Sequence, residues 1–161
     1  MVQKLEEALK LRQEGHYQQS NEILVNLVEE YPENASLHYQ CAWSFDLLGE
    51  EAKAAPYYEK AIQSGLGEEE LKGAYIGLGS TYRTLGEYEK SKDVLQEGMA
   101  RYPENRAIQV FYAMTLYNMN EHHRSMELLL QCLADTTRDE ELAKYKKALQ
   151  FYSDKLDQVW K

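Results

Sequence analysis

Four tight-turn signatures recur in register along the chain: Glu14-Gly15-His16-Tyr17, Leu48-Gly49-Glu50-Glu51, Leu85-Gly86-Glu87-Tyr88 and Met119-Asn120-Glu121-His122. Gly15, Gly49, Gly86 and Asn120 stand in the same place, at spacings of 34, 37 and 34 residues. A period of this length marks a supersecondary unit that cannot bury its apolar face alone and must stack on its neighbours. Glycine, and next best asparagine, tolerates the left-handed backbone that ends one helix and reverses the chain into another. A second mark, Tyr31-Pro32-Glu33-Asn34, returns 71 residues later as Tyr102-Pro103-Glu104-Asn105, and 71 is the sum of 34 and 37. Proline at that point separates one unit from the next.

Between the marks, apolar residues fall at helical spacing, as in Tyr75, Leu78, Gly79 and Tyr82, then Ser91, Val94, Leu95 and Gly98. Each unit therefore reads as two antiparallel helices. Small residues recur in columns of their own, Ala42, Gly79 and Ala113 in one and Ala54, Ser91 and Ser125 in the other. Small side chains let helix axes approach, and a neighbouring Tyr or Leu fills the gap. Tyr17, Tyr58, Tyr75, Tyr82 and Tyr88 fall at packing positions and read as core.

The run Leu78-Gly79…Tyr82…Gly86-Glu87-Tyr88…Ser91…Leu95…Pro103, with its echoes over residues 1 to about 135, resembles the tetratricopeptide-repeat proteins. Asp46-Leu47-Leu48-Gly49, Ala61-Ile62-Gln63-Ser64-Gly65-Leu66 and Gly77-Leu78-Gly79-Ser80-Thr81-Tyr82-Arg83-Thr84-Leu85-Gly86 are similar to a bacterial subgroup called group 5. The resemblance implies an all-α, right-handed superhelix of about four helix-turn-helix repeats. These are about 1–34, 35–71, 72–105 and 106–138, in a single domain spanning 1–161. The second repeat departs from the pattern. It lacks the closing proline and carries extra residues around Gly65-Leu66-Gly67-Glu68-Glu69-Glu70, which predicts a longer loop there. The fourth begins with Gln109 where an aromatic is usual and turns on Asn120. After Asp135-Thr136-Thr137, the apolar residues Leu142, Tyr145, Leu149, Tyr152, Leu156 and Val159 run at spacings of 3 and 4, which predicts one capping helix over about 139–161. Ala148, Phe151 and Trp160 widen its stripe and point to a second contact surface.

The charge restricts the partners. Twenty-seven acidic against 18 basic residues give a formal net charge of −9, which repels phosphate backbones and anionic lipid heads. Neither nucleic acid nor membrane is expected as a partner; a protein or peptide is. No stretch approaches a membrane span, and the amphipathic, acidic start Met1-Val2-Gln3-Lys4-Leu5-Glu6-Glu7 is unlike a signal peptide. The expected location is cytoplasmic. Cys41 and Cys132, 91 residues apart, show no disulfide-scaffold spacing and read as small core residues.

In the family, the first helix of each repeat lines a concave surface. Carried onto this sequence, the resemblance implies a partner-binding groove of Leu5, Leu9, Tyr39, Trp43, Asp46, Ile76, Gly77, Ser80, Arg83, Val110, Met114 and Tyr117, with Arg12 in the first column. The row is mostly apolar and aromatic. Family members that clamp a chaperone's C-terminal carboxylate use Lys, Asn and Arg, but the matching columns here carry Leu5, Leu9, Gln40, Gly73 and Gly77, so that activity is not expected. Asp46 and Arg83 share a column in successive repeats and are candidates for an ion pair. Gly77 is expected to leave room for a ligand or a neighbouring helix.

Other groupings have plainer explanations. His38 and Cys41 offer two zinc ligands where a structural site needs four, so core packing is the better reading. His122 occupies the column of Tyr17 and Tyr88, and partial burial at a turn is expected for it; His122-His123 with Glu127 is not read as a metal site. Glu68-Glu69-Glu70 suits the N-terminal end of a helix better than acid–base chemistry. Gly77-Leu78-Gly79 lacks the Lys-Ser or Lys-Thr of a phosphate loop. No nucleophile stands with an oriented base, so neither catalysis nor a cofactor is expected. The leading reading is a non-catalytic interaction module that binds a helix or extended peptide. A homodimer whose groove or C-terminal helix is self-occupied, and a sensor of small peptides, are the alternatives.

Overall fold

A computed structural model describes all 161 residues, which form ten α-helices and no strand. The all-α architecture of helical hairpins expected from the sequence is what the chain adopts. It packs as two compact units, Met1–Glu87 and Tyr88–Lys161.

The first unit holds α1 (Val2–Gln13), α2 (Tyr17–Glu30), α3 (Ala35–Leu47), α4 (Glu51–Ser64) and α5 (Glu68–Thr84). Each helix packs on the next in sequence, and α3 also meets α5. Ala8, Leu24, Leu27, Leu37, Cys41 and Ala42 are almost wholly buried. Asn21 and Ser44 share that interior without penalty, because Asn21 Nδ2 donates to Ser44 Oγ at 2.8 Å and Ser44 Oγ donates to the Cys41 carbonyl at 2.7 Å. Burial pushes the Cys41 thiol up to about 12, so it sits there as a small hydrophobe. The second unit holds α6 (Tyr88–Arg101), α7 (Arg106–Asn118), α8 (His122–Thr136), α9 (Glu140–Lys144) and α10 (Lys146–Tyr152). Leu95, Ile108, Tyr112 and Leu116 form its centre, beside a buried pair in which Ser91 Oγ lies 2.9 Å from Thr115 Oγ1.

The recurrent marks have a mechanism. Gly15, Gly49, Gly86 and Asn120 all adopt positive φ, between 62° and 83°. The residue after each turns its amide back five positions: His16 to the Leu11 carbonyl, Glu50 to Phe45, Glu87 to Tyr82 and Glu121 to Leu116, at 2.8–3.0 Å. This is the Schellman closure of a helix C-terminus. In the Tyr-Pro-Glu-Asn motif the asparagine is the N-cap of the following helix, Asn34 accepting from the Leu37 amide and Asn105 from the Ile108 amide, each at 3.0 Å. His38 Nε2 lies 2.8 Å from the Pro32 carbonyl, and Gln109 Nε2 donates to the Pro103 carbonyl at 2.7 Å. Histidine and glutamine thus tie equivalent loops down, so His38 has a packing role and Gln109 is no anomaly.

Four expectations are corrected. The extra residues of the second repeat do not lengthen a loop: only Gly65–Gly67 separate α4 from α5, fewer than the four of Tyr31–Asn34. They lengthen α5 to 17 residues against 13 in α3 and α7, with Glu68, Glu69 and Glu70 in its first turn, where the helix dipole favours carboxylates. No single helix runs from Asp139 to Lys161: α9 stops at Lys144, α10 runs from Lys146 to Tyr152, and the remainder is not helical. No residue of α9 is buried, so periodicity there had no packing surface to stabilise a helix. Tyr17 is 39% exposed rather than core. His122 is exposed, against the Tyr117 ring at 4.8 Å between centroids.

Candidate functional site

The first helices of the hairpins in Met1–Glu87, namely α1, α3 and α5, carry the residues that the sequence assigns to a binding face. On α1, Leu5, Leu9 and Arg12 stand at i, i+4 and i+7 and so share one side. The Arg12 guanidinium carbon lies 3.9 Å from the centroid of the Trp43 ring on α3, a cation–π contact. Arg12 Nη2 donates to Gln40 Oε1 at 2.9 Å; Nη1 is buried with no acceptor in reach. Burial pulls the guanidinium below its ordinary value, and the Tyr39 and Tyr58 phenols oppose that shift. Gln40 Nε2 passes the network on to Glu70 Oε1 of α5 at 3.2 Å, and Ser36 Oγ donates to the same oxygen at 2.8 Å. One polar relay therefore crosses α1, α3 and α5.

An aromatic cluster lies beside the relay. Tyr39 is half-buried, tilted against Trp43 at 6.3 Å and against Tyr58 at 6.1 Å between ring centroids. Tyr58 comes from α4, the second helix of its hairpin, and is 2% exposed. Its hydroxyl donates to Asp46 Oδ2 at 2.6 Å, while Thr81 Oγ1 donates to Asp46 Oδ1 at 3.0 Å. Burial, then the neighbouring carboxylate, push the Tyr58 phenol above its usual range and keep it a donor. Asp46, Glu51, Ser80, Thr81 and Thr84 line a polar depression of about 200 Å³ at this end of the face.

Helix pairs closed by glycine turns, small-residue columns buried between them, and an aromatic face on the first helices agree with one family. The group 5 family model described as Tetratrico peptide repeat matches residues 33–156. The chain belongs to this family. A search of curated proteins found no match to this tetratricopeptide-repeat protein. Among solved structures, it is similar to a chain of the APC/C hetero-tetramer Cut9-Hcn1, with a TM-score of 0.75 and 16% identity. That match covers 92% of this chain and 29% of the other, so this chain spans less than a third of its length. MamA RS-1, as a double mutant, gives a TM-score of 0.75 at 11% identity, covering 96% of this chain and 85% of that one. YrrB, titled a TPR protein with an unusual peptide-binding site, gives 0.65 at 13% identity, covering 96% and 86%. At such identities the likeness is one of fold.

The repeat fold brings together only part of the expected row. Trp43 is 40% exposed, and Leu5, Leu9, Tyr39, Asp46, Ile76, Gly77, Ser80 and Arg83 are half-buried. In the second unit Val110 and Met114 are half-buried and Tyr117 is 61% exposed. One expectation fails on geometry: Asp46 spends its two oxygens on Tyr58 and Thr81 rather than on Arg83. At Gly77 it is the neighbouring helix, not a ligand, that takes the room, because a Cβ there would lie 2.6 Å from Oη and 2.7 Å from Cε1 of Tyr58 on α4. The expected row omitted Tyr58, Gln40 and Glu70. Tyr58 sits on a second helix and was legible only as core; Gln40 stood in a repeat column read only as lacking a carboxylate clamp, and Glu70 read only as part of a helix N-terminus.

Asp46 gives this site a pH signature. Burial outweighs its two hydroxyl donors and raises its carboxyl above the usual value, with a smaller push from Glu51. A group raised on folding contributes stability that is complete below its unfolded value of about 3.9 and is lost as pH climbs through the folded value. Asp46→Asn cannot titrate, so its Tm relative to wild type should improve between about pH 4 and pH 7. A Tm difference that is flat over that range contradicts the assignment.

Proposed function

We propose that this tetratricopeptide-repeat protein is a non-catalytic interaction module whose α1–α3–α5 face binds a helix or extended segment of a partner protein. Repeats of this family generally serve as protein-interaction scaffolds. The observation that carries the finer reading is Trp43: an indole 40% exposed in the middle of a face, with Arg12 over it and Tyr39 beside it. Tryptophan, tyrosine and arginine are the residues on which binding energy concentrates at interfaces. The buried Arg12 Nη1 lacks an acceptor, and turning the guanidinium onto a carbonyl of the bound segment would satisfy it. YrrB, with its peptide-binding site on the same fold, supplies a precedent of kind.

The charge of this unit suggests the partner's character. Met1–Glu87 contains 15 acidic and seven basic residues, a net of −8. A segment with apolar anchors and Lys or Arg at its flanks is the complement, the charge speeding encounter and the anchors providing affinity.

Affinity purification with the whole chain as bait, wild type beside Trp43→Ala, tests the reading. Trp43 is exposed, so the exchange leaves the hairpin core intact, and partners held by the face should fall at least ~10-fold in recovery. Equal recovery of every partner from both baits removes Trp43, and the face with it, as the site.

A further inference from the structure

The last part of the second unit is built inside out. α10 is fastened to α8, with Gln150 Nε2 donating to Asp135 Oδ1 at 3.2 Å and Lys146 Nζ 3.7 Å from the same oxygen. Farther along, His123 Nε2 at the start of α8 lies 3.0 Å from Asp157 Oδ2. Between these ties, the side chain turned inward is a serine: Ser153 is 2% exposed, its hydroxyl donating to the Gln150 carbonyl at 2.8 Å. The large apolar residues point the other way. Phe151, Tyr152 and Trp160 are 52, 47 and 54% exposed, Leu156 50% and Val159 78%. The three rings touch, with centroids 5.1, 5.6 and 6.3 Å apart, and Lys155 lies over Phe151 at 4.7 Å. A segment serving only to solvate the end of a helical stack would put the serine outside and the rings inside.

We infer that this aromatic face is the interface of a symmetric homodimer, in which it meets the same face of a second copy. Two observations select that occupant. Residues 139–161 carry five acidic and five basic residues. That leaves 22 against 13 for residues 1–138, so the whole net charge of −9 lies outside this segment. Two identical acidic chains repel one another over most of their surface and least where the charge is zero. Its signs are also interspersed, so in a two-fold contact Lys155 of each copy can meet Asp154 or Asp157 of the other. A basic partner would be drawn to the acidic remainder of the chain instead. The second observation is size. With Tyr145, 57% exposed, the five apolar residues leave on the order of 600 Å² of side chain uncovered. A polar rim of lysines and aspartates brings this to the ~800 Å² per partner of a stable interface.

Sedimentation velocity on the full chain between about 1 and 100 µM tests the inference, with wild type expected as a closed dimer at about 10 µM. Trp160→Glu should raise the dimer Kd at least ~100-fold, and Val159→Glu, at a site too exposed to affect folding, at least ~10-fold. Both variants should keep the wild-type helical circular dichroism. Trp43→Ala, within Met1–Glu87, should leave the Kd unchanged, so this inference and the proposed function fail separately. A monomeric wild type at about 100 µM overturns the inference, as does a dimer indifferent to both glutamates or a mass that keeps growing past two copies.

Discussion

Gly77→Val should lower the stability of the protein by about 3 kcal/mol, by placing a branched side chain where the Tyr58 ring already lies. Even a bare Cβ at that position would stand 2.6 Å from Tyr58 Oη and 2.7 Å from Cε1, closer than carbon atoms approach one another. Tyr58 has no easy retreat. It is 2% exposed, Tyr39 packs on it at 6.1 Å, and its hydroxyl is committed to Asp46. Moving the ring would strip a half-buried carboxylate of one of its two donors. The modest gain in helix propensity over glycine offsets only a few tenths of a kcal/mol. Equilibrium unfolding in urea reads the loss. Gly67→Ala is the control: φ there is −62° and nothing lies within 4 Å of the added carbon, so only the poorer N-cap of α5 is felt and the loss should stay within about 1 kcal/mol. Combining Gly77→Val with Tyr58→Ala should cost less than the sum of the two, because each makes room for the other. Strict additivity, or a fully stable Gly77→Val, would show that the ring is not seated against α5.

The same geometry decides how much of the expected face remains for a partner. Gly73 and Gly77 stand one turn apart on α5, and a Cβ at Gly73 would meet the Tyr39 hydroxyl, 3.0 Å from its Cζ. Two tyrosine rings, one from α3 and one from α4, thus occupy the trough that two missing side chains leave. Tyr39 is half-buried, and both carboxylate oxygens of the half-buried Asp46 are engaged by Tyr58 and Thr81. Trp43 stays 40% exposed, with the Tyr39 ring beside it and the Arg12 guanidinium over its ring. The apolar row read from the columns is therefore too generous, and its accessible part centres on one indole.

Legibility followed the origin of each signal. The four turns were plain because only glycine and asparagine tolerate their positive φ, and every one of Gly15, Gly49, Gly86 and Asn120 adopts it. The columns of Ala42, Gly79 and Ala113 and of Ala54, Ser91 and Ser125 were plain because helix contact leaves no room for more, and all six are buried. Local periodicity misled where nothing packed against it. The stripe from Leu142 to Val159 has helical spacing, yet α9 buries none of its residues and the helix breaks at Tyr145. Charged residues in one column suggested an ion pair of Asp46 with Arg83, but Tyr58 and Thr81 reached the carboxylate first. Contacts such as Arg12 on Trp43 or Gln40 on Glu70 join residues about 30 positions apart, and no spacing rule encodes them.

Tyr112→Ala should be more damaging still, at about 3–5 kcal/mol, because Tyr112 is the bulkiest of the wholly buried side chains. It stands on α7 at 2% exposure, among Leu95, Ile108 and Leu116, none of which is exposed at all. Alanine leaves a ring-sized cavity that these close-packed neighbours cannot collapse to fill, and it removes the hydrogen bond that the exposed Gln96 Nε2 donates to the Tyr112 hydroxyl at 3.0 Å. Tyr112→Phe removes only the hydroxyl and should cost about 1 kcal/mol, which separates packing from hydrogen bonding. The chain's two tryptophans make the measurement local, since Trp43 lies in Met1–Glu87 and Trp160 in Tyr88–Lys161. In a Trp43→Phe background, Trp160 fluorescence should report a Tm roughly 10 °C lower for Tyr112→Ala than for the parent that keeps Tyr112. If alanine and phenylalanine lower it equally, the ring fills no tight space, and the centre of the second unit lies elsewhere than the packing of α6 against α7.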